Sequence, residues 1–168
     1  RSIEIDDVNR WKTDVFTLGA FGEIYDLSTI NLDLGLIAEH TLHRGRKVTL
    51  TSSVVAYGPA SGQMRGEILA FFYRYKSVGG AEFVSDFLIA GEAGEDLRTE
   101  RGDSGTLWLV EERDSGGKPT GMLRPIALHW GQHDFLSSGE ARRTRFAYGL
   151  ATSLSNVCRE LDVDIVRG

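Results

Sequence analysis

The stretch "RTERGDSGTLWLV", residues 98–110, passes from a polar loop into an apolar run, and its reading decides the fold. Leu107, Trp108, Leu109 and Val110 are residue types that favour a strand. The tetrapeptide before them, Gly102-Asp103-Ser104-Gly105, makes an ordinary polar turn or presents a nucleophile. Glycines beside a serine let the backbone turn tightly and aim N–H groups at one point, where a developing oxyanion needs fixed donors. An adhesion tripeptide, Arg101-Gly102-Asp103, overlaps it, but that reading needs a mobile loop on a secreted protein. Neither a secretory signal nor a disulfide framework supports such a setting. The elbow of α/β-hydrolases also fails, because Thr106 stands where it needs a glycine.

Outward from this loop, the chain reads as short strands punctuated by glycine. "DVFTLGAFGEIYDLS" and "LDLGLIAE" precede "RKVTLTSSVVAYG", "GEILAFFYRYKS" and "AEFVSDFLIAG"; "MLRPIALHWG" and "RFAYGLAT" follow "GTLWLVEE". They are rich in β-branched and aromatic residues, and several alternate at period two. "SVGGAE" and "RDSGGKPTG" have the composition of hairpin turns. One helix is expected at the end, with Thr152 or Ser153 as its cap and Leu154, Val157, Cys158 and Leu161 at helical spacing. Strands followed by a single terminal helix make an all-β sandwich or barrel. In "FFYRYK", Phe71 or Phe72 and Tyr73 are expected to face inward rather than stack on bases. "HRGRK" reads as a solvated linker.

The chain has 168 residues, a formal charge of −5 and one cysteine, Cys158. That length suits one ordinary domain or two small barrels. The acidic balance speaks against a broad nucleic-acid-binding face. No apolar run reaches the roughly 18 residues of a membrane span, and the opening "RSIEIDDVNRWK" lacks a signal-peptide core. A lone cysteine points to a reducing, cytoplasmic setting. His129 and His133 lack zinc-ligand spacing and partners, so neither metal nor cofactor is expected.

Residues 45–166 resemble the second barrel of trypsin-like serine proteases of the chymotrypsin fold. The likeness rests on the glycine-rich "VVAYGPASGQMRGEI", the Gly102–Gly105 loop, the Pro125–Gly131 segment and the Cys158–Ile165 tail. It is nearest to the cysteine-poor intracellular branch that includes plant narrow-leaf trypsin-like proteases and bacterial counterparts. The resemblance implies an all-β, chymotrypsin-like double β-barrel with a short C-terminal helix. Residues 1–43 would be the C-terminal part of the first barrel, and residues 44–168 the complete second barrel. It also implies a serine endopeptidase acting through an acyl-enzyme on Ser104, oriented by Asp33, with Asp26 as the rival carboxylate. Gly102 and Ser104 N–H groups would form the oxyanion hole, and His129, Trp130 and Gly131 an edge strand for substrate backbone. Arg98 would sit at the pocket floor and favour an acidic side chain; Arg98 or Arg101 could equally neutralise Asp103.

The general base is missing. Residues 1–32 hold no histidine; His40 and His43 follow Asp33, and His129 and His133 follow Ser104. The expectation is therefore a separate N-terminal fragment or chain, produced by self-cleavage before Arg1 or otherwise, that carries the imidazole. The alternative is a catalytically inactive protease-fold module serving as a protein-binding or assembly scaffold. Expected partners are a polypeptide substrate and that fragment, with no nucleic acid or membrane, and self-association as a homo-oligomer left open.

Overall fold

A computed structural model of the protein describes residues 14–26, 37–41, 47–51, 53–92, 96–114, 118–137 and 144–165. In chain order the elements are β1 (Asp14–Val15), β2 (Gly19–Ala20), β3 (Ile37–Thr41), β4 (Lys47–Thr51), β5 (Ser53–Gly58) and β6 (Gly62–Lys76). They continue with β7 (Glu82–Gly91), β8 (Leu107–Arg113), β9 (Pro119–Ser137), β10 (Thr144–Ser153) and helix α1 (Leu154–Leu161).

Six strands close on themselves in the order β10-β7-β6-β5-β8-β9, all neighbours antiparallel. Alternation in the sequence drives the closure. On β5, Val54 and Ala56 point inward, and Ile68, Phe87, Ile89, Trp108 and Ile126 from the other strands fill the same interior. Irregularities at Ile68/Ala70, Trp108/Leu109 and Leu150/Ala151 bend the strands, as bulges do where a sheet must curl. Trp108 is fully buried, the largest side chain to be so.

The expected double barrel does not form among the described residues. Beyond the six-stranded unit there are only two-stranded ladders, β1-β2 and β3-β4. The physical reason lies in residues 21–25, which strap along β9 instead of building a barrel of their own. Gly22 N–H donates to the Leu123 carbonyl at 2.8 Å and Tyr25 N–H to the Pro125 carbonyl at 2.8 Å. Arg124 reaches back to the Glu23 and Ile24 carbonyls and lies 4.9 Å from the Tyr25 ring centre, while Tyr25 packs against the core. Residues whose polar groups and aromatic ring are spent on β9 are not free to wall a second interior.

Two smaller expectations offered alternatives, and the structure chooses between them. Phe71 packs against the core, but Phe72 is 62 % exposed and adopts a left-handed φ of 52°. Ser153 does stand at the helix N-cap, yet its hydroxyl makes no cap bond and lies 3.0 Å from the Ser155 hydroxyl. No described helix is long and apolar enough to cross a membrane.

Candidate binding site at the Ser104 loop

The segment from Asp96 to Thr106 links β7 to β8 and is pinned at both ends. At its start Leu97 is buried, and its N–H donates to the Ala147 carbonyl at 3.3 Å; the Ala147 N–H returns a bond to Asp96 Oδ1 at 3.3 Å. At its end Gly105 N–H donates to the His129 carbonyl at 2.7 Å, and His129 N–H to the Thr106 carbonyl at 2.8 Å. Between these anchors Gly102 and Gly105 take φ values of 115° and 92°, open to glycine and strained for any other residue. The serine between them is exposed.

Asp103 is the keystone of the loop. Its side chain is fully buried, yet its carboxylate receives four hydrogen bonds. Glu100 N–H donates at 2.7 Å, Ala60 N–H at 3.0 Å and Ser61 N–H at 3.1 Å, joined by the Ser61 hydroxyl. Burial pushes the carboxyl pKa up, but these donors outweigh it and hold the group below the ordinary carboxylate value. Gly58 is bare because the carboxylate fills the space beside it: a Cβ there would meet Asp103 Oδ1 directly. Neutralisation by Arg98 or Arg101 is therefore not what happens; the β5-β6 turn and the Glu100 N–H of the loop itself satisfy the charge.

Around this loop lies a cavity of about 560 Å³, lined by Arg98, Arg101, Ser104, His129 and Gly131. A more apolar hollow of about 420 Å³ shares Ser104 and His129 and adds Trp130, Val84, Leu128 and Val157. Of the residues singled out from the sequence, Arg98, Ser104, His129 and Gly131 thus share one cavity, and Trp130 flanks the neighbouring one. Asp33 and His43 lie outside the described residues, as does the His40 side chain. Asp26 is engaged elsewhere, 3.8 Å from Arg159 of α1. Sequence reading missed Ser61 and Ala60, whose role depends on a turn about forty residues away, and Thr99 and Gln132, joined at 2.8 Å across the cavity wall.

His129 is 4 % exposed and its Nδ1 has no hydrogen-bond partner. Burial holds its imidazole pKa below the ordinary value, with the nearby Asp103 carboxylate pulling the other way. His133 lies further along β9, 3.2 Å from the Tyr73 hydroxyl. No Ser-His-Asp triad geometry forms among the described residues. Nor do His, Cys, Asp and Glu side chains cluster there as a metal site. The loop can offer rigid donors to a ligand, but no described imidazole takes the proton of Ser104.

Residues 4–164 match the Nal1 C-terminal domain family. The chain belongs to that family. It is also 39 % identical over 170 residues to a protein of Bradyrhizobium tropiciagri named "Probable serine protease", a match covering 98 % of this chain and 19 % of that protein. The chain thus spans about a fifth of that relative's length. The Nal1 C-terminal domain replaces the trypsin-like protease expected from the Gly102–Gly105 motif. A single barrel, with no triad assembled among the described residues, corrects both the double-barrel fold and the serine endopeptidase and acyl-enzyme expected with it. A tetrapeptide reports the turn it makes; it carries no information on whether a base stands opposite.

Proposed function

We propose that this Nal1 C-terminal domain is a polypeptide-binding and assembly module rather than a peptide hydrolase. The observation that carries the reading is the preformed cavity at Ser104, walled by a glycine-shaped loop and by β9, with no described base on the serine hydroxyl. Pockets that bind ligands are concave, preformed and equipped with a few convergent polar groups. Gly102 and Ser104 N–H groups enter none of the backbone bonds that close the loop, and they suit a ligand carbonyl oxygen. His129, Trp130 and Gly131 would guide the ligand backbone along β9, and Arg98 would meet its side chain. A segment of a longer protein, such as the N-terminal piece anticipated from the sequence, is one suitable occupant. The proposed setting is cytoplasmic, on the strength of the single cysteine.

Treating the purified chain with a fluorophosphonate probe and, separately, with fluorescent peptides tests this. The expected result is an unlabelled Ser104, intact peptides, and saturable binding that Ser104→Ala leaves within about twofold, the worth of one weak exposed hydrogen bond. Labelling that disappears in Ser104→Ala would restore the hydrolase.

A further inference from the structure

The two arginines on the cavity wall define what the cavity takes. Among the described residues neither the Arg98 nor the Arg101 guanidinium enters a hydrogen bond or ion pair, and both are exposed beside Ser104. Three other polar side chains lining the cavity are already committed to partners. Asp96 Oδ1 accepts the Ala147 N–H, Thr99 Oγ1 meets Gln132 Oε1, and Gln132 Nε2 donates to Asp134 Oδ1 at 2.7 Å. The imidazole of His129 also lines this cavity, almost wholly buried, with its Nδ1 unpartnered. A buried polar atom without a partner is costly unless something arrives to satisfy it.

Resting on the polypeptide-binding reading, we propose that the ligand is an acidic peptide segment whose carboxylate is held by Arg98 and Arg101 against the His129 wall. A guanidinium matches a carboxylate with two parallel N–H···O bonds, stronger and more directional than neutral ones. Opposing charges narrow the choice further. Glu100 lines the same cavity and Asp96 closes it, so the lining carries two guanidinium groups and two carboxylates. Such a balance gives no broad positive field for a nucleic acid or other polyanion, which needs many uncompensated cations. It suits a single carboxylate placed between two forks.

The 168-residue chain and four fluorescent hexapeptides test the proposal by anisotropy. One has a central Glu and an amidated C-terminus, one replaces Glu by Gln and one by Lys, and one has no acidic side chain but a free C-terminal carboxylate. The Glu peptide is expected to bind about tenfold tighter than its Gln isostere, the usual return on charge-assisted bonds. Arg98→Gln and Arg101→Gln should each reduce that ratio, and together abolish it, whatever they do to the Gln peptide's own affinity. Tightest binding by the free-terminus peptide would assign the carboxylate to a chain end and keep the two arginines. Equal binding of Glu, Gln and Lys peptides, or discrimination that survives loss of both arginines, would overturn the acidic preference alone. No binding by any peptide would overturn the module reading with it.

Discussion

Asp103 shows how much one side chain decides here. Its carboxylate is buried under four donors, so replacing it leaves those donors facing nothing. Asp103→Asn should cost about 2 kcal/mol in urea unfolding, because the amide nitrogen meets N–H groups where an oxygen accepted them. Ser61→Ala, which removes one donor and leaves three, should cost less, about 1 kcal/mol. The pH dependence follows from the lowered carboxyl pKa. Since the folded state holds the proton less tightly than the unfolded chain, the stabilisation is complete above the ordinary carboxylate pKa and drains away as pH falls through the folded value. Melting temperature measured from pH 6 down to pH 2 should therefore fall more steeply in the native protein than in Asp103→Asn. Parallel curves would show that Asp103 contributes nothing to acid lability. Its partners Ala60 and Ser61 escape sequence reading, because a hydrogen bond across some forty residues leaves no local pattern.

At the scale of elements, the β5-β6 turn and the Ser104 loop behave as one unit. Gly58 closes β5 directly against the Asp103 carboxylate, and a methyl group there would displace it. Gly58→Ala should destabilise the protein by about 2 kcal/mol through overpacking. It should also abolish peptide binding in the fraction that remains folded, although residue 58 does not line the Ser104 cavity. Binding unchanged in that variant would uncouple the two elements. Most strands were legible because short runs of β-branched, aromatic and other apolar residues, as in "SVVAYG" and "TLWLV", are bounded by turn residues. β9 runs on past Gly131 to Ser137, which the sequence hides: "QHDFLS" is polar, and what extends it is pairing with β10. The outward turn of Phe72 follows period two from Phe71; what was hidden is the irregularity at Ile68/Ala70, where the inward positions pass from even to odd residues.

For the whole molecule, closure of the sheet sets the stability. Trp108 sits in the interior of the six-stranded ring with no exposure, and Trp108→Ala should cost about 4 kcal/mol or leave the chain unfolded. Circular dichroism with urea titration would show it; a loss under 1 kcal/mol would mean that the ring does not share one core. The number of barrels was not legible, because strand count and turn spacing look the same whether residues 21–25 begin a second interior or strap an existing one. What separates the cases is a set of bonds from Gly22, Tyr25 and Arg124, and these are long-range facts. The grip on Asp103 has a last consequence. Every donor to that carboxylate comes from a turn formed by the same nascent polypeptide, not from a newly released terminus or an incoming activator. The shape of the Ser104 loop is thus set by bonds internal to the domain, and it forms together with the fold itself.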